Sequence, residues 1–249
     1  MTNLTNYSVL QRIEEKNIFF NPFPHIIIKD CLPNELYQKL SSSYPYDFVN
    51  YNLKNNQRGD ISINQIKKLK LEHWIKFIEY HSSTSFALDV IKNFKFFQNK
   101  KEFLEIAKLV NNENFLDKLK PSGFISYNTP AINENSVRGF HVDKKDKLYS
   151  ALFYIKEDND NTPGGDLDIY SIKDRKVVKT IKYEKNTMIL FINNKYSYHG
   201  VTPRFKTKNL RRFCYFTSKV ENFKHKRLNK FLEIFYLKYF EYTKKFNLI

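Results

Sequence analysis

The sequence has few cysteines and no long apolar run. Only Cys31 and Cys214 occur among 249 residues, too few for a disulfide framework or for a zinc site built from four cysteines. The best apolar run, Met188–Ile192, is far short of the roughly 20 residues that span a bilayer. Charged residues at positions 12, 14, 15 and 16 replace the apolar stretch of a secretory signal. These absences predict a cytoplasmic protein without a transmembrane segment.

Positive charge is in excess, with a formal net charge of +16 that is concentrated between Arg204 and Ile249. Within that region, an apolar and aromatic stripe predicts a basic amphipathic helix over about 222–246, with most lysines on its other side. We expect this helix to pack on the rest of the protein. A weak contact with an anionic surface or with nucleic acid is the alternative.

Helical patterns precede β-rich patterns along the chain. Helical spacing, including predicted helices over Ser83–Phe94 and Lys101–Val110, dominates the support region at about 30–120, and short strands separated by turns follow over about 121–218. His25–Lys29 predicts an edge strand, and Asn50–Asn64 predicts a loop in which Arg58-Gly-Asp60 is a chance tripeptide. The later predicted strands are Phe124–Tyr127, Leu148–Ile155, Asp166–Ile172, Lys176–Lys182, Thr187–Ile192 and Arg212–Thr217. This order predicts an α+β fold with a jelly-roll core, in a single domain over 1–249.

His141 and Asp143 are the first candidate metal ligands. They lie two residues apart, and residues i and i+2 of a strand project from the same face. Side by side they can ligate one metal ion. Because so short a pair also arises by chance, an Asp–His hydrogen bond in a surface turn is the alternative interpretation.

His199 is the third candidate ligand, 56 residues beyond Asp143 in Ser197-Tyr-His-Gly-Val201. Antiparallel strands of a jelly roll can bring it to the first pair. Two histidines and one carboxylate leave three open positions on an octahedral metal. That donor set suits non-haem Fe(II) with dioxygen and a cosubstrate.

An arginine pair, Arg211 and Arg212, stands at the start of the last predicted strand. A guanidinium binds a carboxylate through two parallel hydrogen bonds, so a dicarboxylate such as 2-oxoglutarate could place its far carboxylate on one arginine. Tyr154 could add a phenol hydrogen bond from a facing strand. Arg212 is preferred because Cys214 would then point inward beside it as a small neighbour, and Arg211 is the alternative.

Taken together, these segments resemble the Fe(II)/2-oxoglutarate-dependent dioxygenases, in the prolyl 4-hydroxylase-like branch. Their order and spacing match the family, and the opening Pro22–Asp30 is similar to N-termini of this branch. The paired arginines depart from the family pattern, which leaves the register of the carboxylate site open. The matching segments are Arg138-Gly-Phe-His-Val-Asp143, Leu152–Ile155, Gly164–Tyr170, His199-Gly-Val-Thr-Pro203 and Arg212.

The resemblance implies a double-stranded β-helix in which His141, Asp143 and His199 hold iron. It implies that Arg212 and Tyr154 hold 2-oxoglutarate, and Tyr127 falls where the family often has a pocket-lining aromatic residue. The implied enzyme uses Fe(II), 2-oxoglutarate and dioxygen, with ascorbate to keep the iron reduced. It hydroxylates an unactivated C–H bond and releases succinate and CO2. No motif identifies the substrate, which is a small molecule, a sugar, a lipid or a protein residue.

Two other functions are compatible with parts of the pattern. One is a catalytically inactive jelly-roll binding module with a basic C-terminal tail, against which the complete ligand set argues. The other is a metal-dependent isomerase or hydrolase on a cupin-like barrel. Such an enzyme would not need Arg212 and would usually use more histidine ligands.

Overall fold

A computed structural model describes residues 4–93, 117–134, 138–144, 146–171, 173–193 and 196–220. These residues combine helices with two sheets whose strands all pair antiparallel, so the mixed helix-and-sheet class is confirmed. The helices are α1 (Asn34–Ser42), α2 (Ile63–Lys68), α3 (Glu72–His81) and α4 (Thr84–Asn93). The strands are β1 (Ile18–Phe19), β2 (His25–Ile28), β3 (Arg58–Ile61), β4 (Leu119–Asn128), β5 (Lys147–Tyr154), β6 (Leu167–Tyr170), β7 (Val177–Ile181), β8 (Thr187–Ile192), β9 (His199–Val201) and β10 (Arg211–Val220).

A large and a small sheet face each other across an apolar interior. The large sheet has the order β1-β2-β8-β5-β10-β4-β3, and the small sheet has the order β7-β6-β9. Phe191 and Phe213 of the large sheet share one buried cluster with Leu167 and Ile169 of the small sheet. The inner face of the large sheet is therefore covered by the small sheet.

The helices cover the other face of the large sheet. Trp74, Phe77 and Ile78 form the apolar stripe of α3 at helical spacing and are fully buried. The Phe77 ring lies 5.3 Å from the Phe153 ring of β5 and 5.8 Å from the Phe216 ring of β10. Both faces of the central strands are thus buried, and inner and outer side chains have similar hydrophobicity.

Every strand predicted from an apolar run is present, with ends that differ by a few residues. The prediction that β2 is an edge strand is wrong, because β2 lies between β1 and β8. The loop prediction for Asn50–Asn64 is wrong in part, because β3 lies inside it. Gly59 of β3 packs so closely that an added Cβ would overlap the Tyr127 ring.

Some predictions fall on residues that the structure does not describe. They are the helix over Lys101–Val110, part of the helical support at about 30–120, and the C-terminal helix at about 222–246. The single domain over 1–249 likewise stays a prediction. Among the helices that the structure describes, none is both long and apolar enough to cross a membrane.

Candidate metal centre

His141, Asp143 and His199 meet at one end of the inner face of the large sheet. The backbones of His141 and His199 pair through two hydrogen bonds of 2.9 Å, so the two imidazoles are neighbours across a β-bridge. One possible ligand atom from each of the three residues lies within 4.8 Å of the others. The strand-like spacing therefore places the three predicted side chains together.

Backbone carbonyls fix the orientation of both imidazoles. His141 Nδ1 lies 2.7 Å from the Gly139 carbonyl oxygen, and His199 Nδ1 lies 2.9 Å from the Ser197 carbonyl oxygen. Because a carbonyl only accepts, each Nδ1 donates and each Nε2 keeps a free lone pair. The Nε2 atoms are 3.9 and 4.0 Å from the Asp143 carboxylate oxygens, too long for hydrogen bonds. The three groups therefore surround a space rather than bond one another.

The protonation states suit a divalent cation. Burial lowers the pKa of His199 to about 4, with a contribution from His141, and burial also lowers the pKa of His141. For Asp143, burial by itself would raise the pKa. His199, the Ser150 hydroxyl, Lys147 and Arg138 outweigh it and bring that pKa below its usual value. At neutral pH the site thus offers two neutral imidazoles and one carboxylate, as metal binding requires.

Ser150 and Arg138 hold the Asp143 carboxylate. Ser150 Oγ donates to Asp143 Oδ2 at 2.5 Å, and Arg138 Nη1 donates to Asp143 Oδ1 at 3.1 Å. Asn193 in turn donates to Ser150 Oγ at 3.0 Å. Ser150 was not among the sequence candidates. Its signal is a small polar side chain between the apolar and aromatic residues of β5, because a buried polar group needs a partner.

Arg211 lines the pocket that contains the three candidate ligands. Its guanidinium donates from Nε to the Gly165 carbonyl at 2.7 Å, from Nη2 to the Tyr154 hydroxyl at 3.2 Å and from Nη1 to Asn128 Oδ1 at 3.5 Å. Gly165, at φ +75°, allows this approach, since a Cβ there would lie 3.0 Å from Arg211 Cδ.

No carboxylate in the described part of the chain lies within 4.0 Å of the Arg211 guanidinium, although the residue is only 2% exposed. A buried charge without a counter-charge is unfavourable. Arg211 therefore offers a buried guanidinium, without a counter-charge among the described residues, to an anion that enters the pocket.

Arg212 points to the helical side of the sheet. It donates from Nε to the Ile155 carbonyl at 3.0 Å and from Nη1 to the Tyr46 hydroxyl at 2.9 Å, and Nη1 lies 3.3 Å from a Glu157 carboxylate oxygen. Cys214 shares this face, as expected, but the face packs on helices. The preference between the two arginines is thus reversed: Arg211, the alternative, is the one in the pocket.

Tyr127 shows the same displacement by one residue. It pairs with Arg212 across β4 and β10, and its hydroxyl accepts a 2.7 Å hydrogen bond from the Asn50 backbone on the helical side. Its neighbour Asn128 pairs with Arg211 and lines the pocket instead. Tyr127 is therefore not a pocket residue, because a shift of one residue exchanges the two faces of a strand.

Comparisons with known proteins agree with this geometry. Residues 127–217 match the family model described as the 2OG-Fe(II) oxygenase superfamily, and this segment contains every candidate metal and cosubstrate residue. A search of curated proteins finds no match to the chain. Fe(II) and 2-oxoglutarate are therefore the metal and the cosubstrate of the matched domain.

Solved structures with a similar chain path include several prolyl hydroxylases. The Pseudomonas putida prolyl-4-hydroxylase is 14% identical with a TM-score of 0.48, over 80% of this chain and 93% of that one. A Trichoplax adhaerens prolyl hydroxylase, solved with a peptide fragment, is 12% identical with a TM-score of 0.46, over 82% and 86%. The viral collagen prolyl hydroxylase of Paramecium Bursaria Chlorella virus-1 is 14% identical with a TM-score of 0.40, over 79% and 95%.

Proposed function

We propose that this chain, whose residues 127–217 belong to the 2OG-Fe(II) oxygenase superfamily, hydroxylates an unactivated C–H bond on a double-stranded β-helix. One dioxygen molecule is consumed: one oxygen atom enters the new hydroxyl group and the other enters succinate, while 2-oxoglutarate loses CO2. The observation that carries the proposal is the His141, Asp143 and His199 cluster in one pocket with Arg211.

His141, Asp143 and His199 would hold Fe(II), which supplies the activation of dioxygen when bound. The chain's own contribution is orientation. The carbonyls of Gly139 and Ser197 keep each Nε2 directed at the shared space. Ser150 and Arg138 keep the carboxylate ionised and in place. Such outer partners typically change metal affinity by about 10- to 100-fold when removed.

Arg211 and Tyr154 would bind the far carboxylate of 2-oxoglutarate. The Arg211 guanidinium is the charged partner, and hydrogen bonds to Gly165 and Tyr154 fix its plane. Burial raises the pKa of Tyr154, so its hydroxyl stays protonated. Because that oxygen accepts from Arg211, its own hydrogen is free to point at the ligand.

Apolar side chains make up much of the remaining wall of the pocket. They include Leu152, Leu167 and Phe191, of which Leu167 and Phe191 are almost fully buried. Such walls exclude water and strengthen the electrostatic contacts inside the pocket.

An inactive binding module fits this site less well. A module without chemistry has no use for three oriented ligand side chains. A cupin-like isomerase or hydrolase would not need Arg211 in the pocket.

The test is anaerobic addition of Fe(II), then of 2-oxoglutarate, with a visible spectrum after each step. We expect a weak charge-transfer band only when both are present. His199→Ala should abolish the band, and Arg211→Gln should shift its midpoint to higher 2-oxoglutarate concentration. Arg12→Gln, which removes an exposed cation outside the pocket, is the matched control. A wild-type protein that shows no band at saturating metal and cosubstrate would contradict the proposal.

A further inference from the structure

A second arginine, Arg58, lines the same pocket from strand β3. Its position pairs with Asn128 of β4, which in turn pairs with Arg211 of β10. Arg58, Asn128 and Arg211 are therefore direct neighbours across the three strands β3, β4 and β10. Arg58, the first residue of the Arg-Gly-Asp tripeptide, is therefore part of the pocket wall.

Aromatic rings on β10 contact the cations of this wall. Arg211 Cζ lies 4.9 Å from the centre of the Phe213 ring, and Arg58 Cζ lies 5.4 Å from the same ring. Arg58 also lies 4.9 Å from the Tyr215 ring, whose centre is 4.7 Å from Lys147 Nζ. Cations and rings thus alternate along the inner face of the strand.

Arg58 is held in place yet keeps donors free. Its Nε donates to Asp60 at 2.9 Å and its Nη2 donates to Ser126 Oγ at 3.1 Å. Nη1 has no hydrogen-bond partner in the described part of the chain, and 33% of the side chain is exposed. Asp60 and Ser126 thus fix the orientation of the Arg58 guanidinium, and Nη1 is available to a ligand.

The positive charge of the side chains around the pocket exceeds their negative charge, and binding of the expected metal and cosubstrate would not change this excess. Three arginines line the pocket: Arg58, Arg138 and Arg211. A fourth cation, Lys147, lies 3.6 Å from Asp143. Among the residues that the structure describes, only two carboxylates, those of Asp60 and Asp143, form ion pairs with these cations. The charges of Fe(II) and 2-oxoglutarate cancel each other. The loaded pocket therefore keeps a positive excess, which favours an anion.

We propose that the oxidised substrate carries an oxyanion, a carboxylate or a phosphate, and that Arg58 binds it. This inference rests on the proposed function, because 2-oxoglutarate must already occupy Arg211. Arg58 and Arg211 stand on different strands, β3 and β10, with β4 between them, so we place the oxyanion on Arg58 and the cosubstrate on Arg211. Arg58 is then a specificity-determining residue, selecting substrates whose charged end reaches the β3 side of the pocket.

Calorimetry on protein loaded with Mn(II) and saturating 2-oxoglutarate tests this directly. Benzoate and phenyl phosphate serve as probes, and benzamide serves as the neutral counterpart of benzoate. We expect one or both anions to bind more tightly than benzamide, and the tighter anion identifies the substrate's charged group. Arg58→Gln should weaken anion binding by about 10- to 100-fold while leaving benzamide binding unchanged.

Controls separate this proposal from the one on which it depends. Arg58→Lys keeps the charge without the planar pair of donors and should bind the anion with intermediate affinity. Arg12→Gln should bind it like the wild type, and equal melting temperatures exclude misfolding. Anion binding that is absent, or that survives Arg58→Gln, overturns this inference while leaving 2-oxoglutarate binding intact. Failure of 2-oxoglutarate itself to bind overturns both.

Discussion

Arg211 and Arg212 are adjacent and equally buried at 2% exposure, yet their surroundings differ completely. Arg212 faces helices and loops that supply two carbonyls, two hydroxyls and the Glu157 carboxylate. Arg211 faces the pocket, where neutral groups fix its plane and no carboxylate in the described residues neutralises it. At equal burial, Arg212 therefore has a counter-charge among residues that hold the fold, whereas Arg211 has none in the described part of the chain and lines the pocket.

The largest expected effect tests whether the pocket that Arg211 lines is the site of 2-oxoglutarate turnover. Asp143→Ala removes a charged ligand and should abolish conversion of 2-oxoglutarate to succinate, because two imidazoles alone bind Fe(II) weakly. Succinate formation and Fe(II) binding are the measurements. Asp174→Ala changes an exposed carboxylate outside the pocket and is the control. Succinate production at the wild-type rate by the Asp143 variant would show that the metal is held elsewhere.

The next effect contrasts the two arginines in cosubstrate binding. Arg211→Gln should weaken 2-oxoglutarate binding by about 30- to 4,000-fold, equivalent to about 2–5 kcal/mol, because a desolvated carboxylate loses its charged partner. Titration of the Mn(II)-loaded protein with 2-oxoglutarate measures it. Metal affinity should stay close to that of the wild type, which distinguishes this variant from loss of a ligand. A larger loss of affinity in Arg212→Gln than in Arg211→Gln would invert the comparison.

Arg212→Gln should instead lower the free energy of unfolding, by about 2–4 kcal/mol. The substitution leaves the Tyr46 oxygen and the Ile155 carbonyl without the Arg212 donor. It also removes the charged partner of Glu157, which is only 26% exposed and keeps its hydrogen bond from the Tyr46 hydroxyl. Urea unfolding followed by Trp74 fluorescence measures the change. Arg211→Gln is the matched comparison and should lower the free energy of unfolding less, because removal of an uncompensated buried charge offsets the loss of its hydrogen bonds to Gly165 and Tyr154. A stable Arg212 variant would show that its contacts contribute little.

Much of the fold follows from the sequence because its strands are apolar runs bounded by turns. β5, β8 and β10 were each predicted within a few residues for this reason. β3 was not predicted, since Arg58, Gly59 and Asp60 have no strand pattern of their own. Its conformation comes from pairing with β4 and from the fit of Gly59 under Tyr127, which are contacts between distant parts of the chain.

The site was predictable in composition but not in register. Because His141 and Asp143 are two residues apart, the sequence predicts that both project from the same face. This prediction does not require knowing which face lines the pocket. The choice between Arg211 and Arg212 depends on which face of β10 is the inner one, and both faces are buried. With helices on one side and the small sheet on the other, hydrophobicity does not distinguish them, so the error at Arg212 recurs at its strand partner Tyr127.

The smallest effect concerns the Tyr154 hydroxyl, which fixes the plane of Arg211 from the neighbouring strand. Tyr154→Phe keeps the buried ring and removes only a neutral hydrogen-bonding group. We therefore expect 2-oxoglutarate binding to weaken by about 2- to 10-fold. Titration of the Mn(II)-loaded variant measures this loss. Tyr149→Phe is the matched control on the same strand, because Tyr149 faces the helices and its hydroxyl has no partner in the described part of the chain. If both variants bind 2-oxoglutarate like the wild type, the Tyr154 hydroxyl does not contribute to binding. Arg211 is then the one residue of this pair that binds the far carboxylate.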